Sequence, residues 1–143
     1  MPDHPGPVLV SLADTLEWIY RLEKFHEKQI GARAFHAARL TDAAGETEGG
    51  LIYARGLVAH GLASLAALVT FPWPQVIGTG SSGGSRIIYP PTFNEYRWKS
   101  FADLPPPGNV EKYQRDRMYR DRVQDQPLLP PLETAKAYME GLP

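Results

Sequence analysis

Leu12, Leu16, Ile19, Leu22 and His26 recur at three- and four-residue steps, with Glu17, Arg21, Glu23, Lys24, Glu27 and Lys28 between them. That is the period of a helix with one buried stripe and polar flanks. Ser11, with Asp14 three positions on, predicts its N-cap, and Gly31 predicts its end or a bend. ARAFHAARL (32–40) continues as a second helical piece, and the polar TDAAGETE (41–48) reads as a helix–helix turn. LIYARGLVAHGLASLAALVTF (51–71) is the most apolar stretch of the chain. It predicts a buried central helix over about 48–70, stopped by Pro72 and Pro74. Ala59, Ala63 and Ala67 lie beside Gly56, His60 and Ser64 at helical spacing, a small-residue stripe that lets an internal helix or a second subunit approach closely.

Beyond residue 72 the pattern changes. Gln75-Val76-Ile77 and Arg86-Ile87-Ile88-Tyr89 flank GTGSSGGS (78–85), which predicts a short hairpin with a mobile tip. Pro90-Pro91 and Pro105-Pro106-Pro107 bracket an extended segment, with Trp73, Tyr96 and Trp98 as its anchors to the helical body. Asn109 is placed to cap VEKYQRDRMYRDRVQ, in which Lys112, Arg115, Arg117, Arg120 and Arg122 interleave with Tyr113 and Tyr119. Pro127, Pro130 and Pro131 interrupt it before LETAKAYMEGL, a last short amphipathic helix. The expected fold is mainly α, a helical bundle with a small β-hairpin and a Pro-rich extended arm. One domain spans 1–143, with a helical core (11–71), the hairpin and arm (72–108) and C-terminal helices (109–143).

The 143 residues suffice for one core, and zero cysteines exclude disulfides, thiolate metal sites and a thiol nucleophile. Fifteen Lys and Arg against sixteen Asp and Glu leave a net charge of −1, so any nucleic-acid contact must be local. MPDHPGPVLV has no basic stretch followed by an apolar core, so no secretory leader is read and a cytoplasmic location is expected. Arg55, His60, Gly56 and Gly61 argue that 51–71 is a buried helix and not a membrane span. The loop 78–85 lacks the lysine of a phosphate-binding loop. His26 and His36 have no His-x(3)-His or paired-carboxylate companion, so neither a metal ligand nor a cofactor is assigned.

Charge inside the most apolar segment needs a reason. Arg55 and His60 are separated there by four residues; the same spacing recurs at Arg21 and His26, but among ordinary surface charges. The Arg55…His60 spacing, late in a small helical region, resembles the R-x(4–6)-H signature of the HEPN superfamily, over roughly residues 11–71. The resemblance implies an up-and-down helical bundle, a homodimer, and metal-independent RNA cleavage with Arg55 and His60 as the catalytic residues. The residue types suit that chemistry. Histidine exchanges protons near neutrality, and arginine grips phosphate oxygens with a planar fork. Five residues of helix rotate by about 140°, so a composite site would draw on two copies of the chain.

Lys112, Arg115, Arg117, Arg120 and Arg122 are the accompanying candidates for RNA contact, although Glu111, Asp116 and Asp121 also fit a solvated, salt-bridged helix. The rival reading is a non-catalytic interaction or assembly subunit binding a protein partner. In it Arg55 and His60 are structural, with Arg55 satisfied by Glu17 or Glu23. A third is a small-molecule sensor with a pocket beside His60.

Overall fold

The computed structural model describes residues 7–58, 61, 65–72, 92–106 and 113–143. The chain is mainly helical. In order come α1 (Pro7–Ile30), α2 (Ala32–Arg39), α3 (Ala43–Gly56), β1 (Ala66–Pro72), β2 (Thr92–Trp98), a 3-10 turn at Phe101–Asp103, α4 (Arg115–Arg122) and α5 (Leu129–Glu140). α1 buries Leu12, Leu16 and Ile19 on one stripe, as its period predicts. Gly31 separates α1 from α2 with φ 88°, a left-handed conformation that glycine adopts without the Cβ clash other residues meet.

The central helix is α3, and it begins earlier than the sequence suggests. Asp42 accepts the Gly45 N–H at 3.0 Å as its N-cap, so TDAAGETE is mostly helix and not a turn. α3 packs against α1, α2, α4 and α5, and every residue from Gly45 to Ala54 is buried. Close approach to α4 depends on Gly50, where a Cβ would sit 2.8 Å from Val123 Cγ2 and 3.0 Å from the Tyr119 backbone.

The predicted helix 48–70 does not run through. α3 ends at Gly56, with Leu57 as its C-cap, and residues 66–72 form a strand. The physical reason is the partner: β1 pairs antiparallel with β2 in the register Ala66↔Trp98 through Pro72↔Thr92. Val69, Thr70 and Phe71 suit such a pleated surface, and the Phe71 and Phe93 rings stack at 5.6 Å. Pro72 therefore ends a strand, not a helix. The hairpin exists, but its described arms lie outside the predicted 75–77 and 86–89. Those residues, the tip 78–85, Trp73 and the cap Asn109 all fall outside the described residues.

Trp98 is the anchor the sequence proposed. It is 1% exposed, its indole N–H donates to the Leu128 carbonyl at 3.2 Å, and its backbone N–H donates to the Gln126 carbonyl at 2.9 Å. These bonds tie β2 to the α4–α5 connection. Tyr119 joins the same corner, its hydroxyl donating to the Lys99 carbonyl at 2.6 Å.

Candidate functional site

Arg55 occupies the last turn of α3 and is held from α1. Its Nε and Nη2 donate to Glu17 Oε2 at 3.2 and 3.0 Å, and its guanidinium lies 3.8 Å from the centre of the Tyr20 ring. Arg55, and then Arg21, hold the Glu17 carboxyl below its usual range. Glu17 is one of the two partners foreseen for a structural Arg55. Beside it a small polar cavity of about 310 Å³ is lined by Ala13, Glu17, Arg55, Gly56 and Val58. His60, with Ala59, Ala63 and Ser64 of the small-residue stripe, lies outside the described residues, so Arg55 is placed and its proposed partner is not. The apolar residues Leu51–Ala54 are covered by the chain's own helices.

The basic helix α4 is largely engaged within the molecule. Arg117 and Arg122 clamp Glu46 of α3 at 3.1 and 3.0 Å, Arg117 also reaches Asp121 at 3.0 Å, and Arg120 meets Asp116 at 3.8 Å. Burial pushes the Glu46 carboxyl up, but Arg117 and Arg122 outweigh it and hold the group below its usual range. Arg115 lies 5.2 Å from the centre of the Tyr113 ring. Lys112 is outside the described residues.

The densest chemistry lies where α1, α2 and α3 meet, on residues outside the sequence's catalytic and RNA-binding candidates. Glu23, His26 and Glu27 project from one face of α1, His36 and Arg39 from α2, and Glu48 from α3. Arg39 is fully buried, and its Nη1 donates both to Glu23 Oε1 at 3.2 Å and to Glu48 Oε2 at 3.0 Å. Its Nη2 lies 2.8 Å from His36 Nδ1, while His36 Nε2 lies 2.9 Å from Glu27 Oε1. An arginine nitrogen only donates, so Nδ1 accepts and the ring proton sits on Nε2, facing Glu27. Tyr113 stacks on the same imidazole at 3.7 Å, nearly parallel.

Burial and the neighbouring Glu23 push the Glu48 carboxyl up to about 8, and burial raises Glu23 against the pull of Arg39. Two buried carboxyls flank one guanidinium, so at neutral pH the cluster favours one proton between them. Burial and Arg39 push the His36 imidazole down, so it is neutral near pH 7. Burial raises Glu27, but Lys24 and then His36 outweigh it and hold the carboxyl low. Glu23 was read as a polar flank; it is 1% exposed. The signal was available: the stripe 12, 16, 19 continues in steps of four and three to 23 and 26, placing Glu23 and His26 on the buried face.

A third feature is an apolar groove of about 710 Å³ between α1 and α5. Trp18, Ile19, Leu22, Leu129, Leu132 and Met139 line it, with Asp14, Glu133, Lys136 and Glu140 on its rim. Trp18 is 66% exposed and Leu129 60%. No protein-family model, curated protein or solved structure matches the chain. No helix among the described residues is long and apolar enough to cross a membrane.

Proposed function

We propose that this chain is a non-catalytic interaction or assembly module whose α1–α5 groove receives an amphipathic helix of a partner protein, with basic residues flanking the apolar stripe. The observation that carries this reading is the exposed indole of Trp18 at the mouth of an apolar groove of about 710 Å³. A water-exposed tryptophan on an apolar groove is the kind of anchor that interface hot spots are built on. An apolar groove between two helices suits a third helix laid along it.

The rim chooses the partner. Asp14, Glu133 and Glu140 are acidic, and the rim's one lysine, Lys136, already pairs with Glu140 at 3.7 Å. A second copy docked on the same face by a two-fold would set acid against acid, whereas Lys or Arg flanks on a partner helix complement it.

The test uses two designed 18-residue helical peptides, one of Leu and Lys and one of Leu and Glu, titrated by fluorescence anisotropy. The Leu/Lys peptide should bind at least about tenfold more tightly, and Trp18→Ala should weaken it by about tenfold or more. Equal affinity for both peptides, or indifference to Trp18→Ala, would refute the proposal. Sedimentation at tens of micromolar tests the homodimer; a dimer dispersed by Trp18→Glu would give the groove to a second copy.

RNA cleavage is the second reading. Its support is Arg55, which is 34% exposed at the side chain and lines the cavity beside Gly56 and Val58. If it holds, His60→Ala abolishes cleavage in EDTA while leaving RNA affinity nearly intact, because the imidazole moves protons and does not grip phosphate. Wild-type protein inert towards a broad panel of RNAs rejects it.

A further inference from the structure

Glu23, Glu27 and His36 each offer one ligand atom, and these atoms all lie within 4.8 Å of one another. Glu23 and Glu27 stand four apart on one face of α1, and the turn at Gly31 folds α2 back so that His36 meets them. Among the described residues, Glu23 Oε2 and Glu48 Oε1 are buried oxygens with no hydrogen-bond partner. Buried lone pairs of this kind call for a proton, a water or a cation. Arg39 holds Glu23 Oε1 and Glu48 Oε2, Lys24 reaches Glu27 Oε2 from the outer side at 3.0 Å, and Arg115 adds a positive charge near Glu23, Glu48 and His36.

We propose that Glu23, Glu27 and His36 bind one first-row divalent cation of the manganese-to-zinc series. Two carboxylates and one imidazole, with no thiolate in the chain, form a hard-to-borderline donor set. One nitrogen ligand disfavours calcium and magnesium, which take oxygen. Arg39 keeps its bonds to Glu48 and to Glu23 Oε1, leaving Oε2 for the ion. His36 binds through Nε2, which requires its proton to move to Nδ1 and the Arg39 Nη2 now 2.8 Å away to turn aside. That rearrangement limits the site to modest affinity. Glu27 and His36 retain 13% and 9% side-chain exposure, and the ion enters past them.

The experiment titrates the full chain, stripped with EDTA, with Co2+ and follows visible d–d absorption. One Co2+ per chain is expected, displaced by Zn2+ and untouched by a hundredfold excess of Mg2+. Glu27→Gln and His36→Gln should each weaken binding by about tenfold or more, whereas changing His4 and His60 to Gln should not. A measurement without substitutions covers variants that fail to fold: Mn2+ should broaden the Tyr113 ring resonances, because that ring stacks on His36. The proposal is overturned if wild type forms no stoichiometric complex at about 100 μM Co2+. It is equally overturned if both variants bind as wild type does, or if the broadening centres on His4 or His60.

Discussion

Replacing Arg39 with Met removes the guanidinium that bridges Glu23 and Glu48. The methionine fills most of the volume, so the loss is electrostatic and not a large cavity. Removing one partner of a buried ion pair costs about 3–5 kcal/mol, because the remaining charge stays desolvated. The sum is bounded here by protonation. Glu48, with its carboxyl pushed up to about 8, is already mostly neutral at pH 7. The cost therefore falls on Glu23, which must take up a proton at about 1.4 kcal/mol for each unit by which pH exceeds its unfolded pKa. The deficit should be about 3–4 kcal/mol at pH 7 and under about 2 kcal/mol at pH 5, where that proton is cheap. Urea unfolding followed by circular dichroism in EDTA at both pH values measures it, with Glu23→Gln added to Arg39→Met as the rescue. A deficit under about 1 kcal/mol at pH 7, or one unchanged between pH 5 and 7, would refute the reasoning.

Three further outcomes follow from the same packing. Glu48 has a folded pKa above its unfolded one, so between about pH 4.5 and 8 the unfolded chain loses that proton and the native one keeps it. Its contribution falls as pH rises, by at most about 1.4 kcal/mol per unit, and Glu48→Gln should flatten the decline in urea midpoints over that window. Gly50→Ala should cost about 1–3 kcal/mol in urea unfolding, since its Cβ would press on Val123 and on the Tyr119 backbone and force α3 and α4 apart. Tyr119→Phe leaves the Lys99 carbonyl without its 2.6 Å donor and should cost about 1–2 kcal/mol by the same assay; a loss under about 0.3 kcal/mol would show that water replaces the hydroxyl.

What the sequence determined by itself is what travels over three or four residues. The 12-16-19 stripe defined α1 and its core face, Gly31 defined the break before α2, and Pro127 falls between α4 and α5, whereas Pro130 and Pro131, expected to interrupt, instead open α5 in its first turn. Periodicity, a left-handed glycine and a missing amide are local physics, and Trp98 was legible as an anchor because an indole seldom stays in water. The tertiary structure decided the rest. Residues 66–72 look helical in isolation and are a strand because residues 92–98, twenty or more positions away, supply their hydrogen bonds. Glu23, Glu27, His36, Arg39 and Glu48 become one cluster only when three helices converge, and no local pattern states which guanidinium meets which carboxylate. Arg55 shows both sides: its place in an apolar segment announced a need for compensation, while the choice of Glu17 and Tyr20 on α1 was made by the packing of α1 against α3.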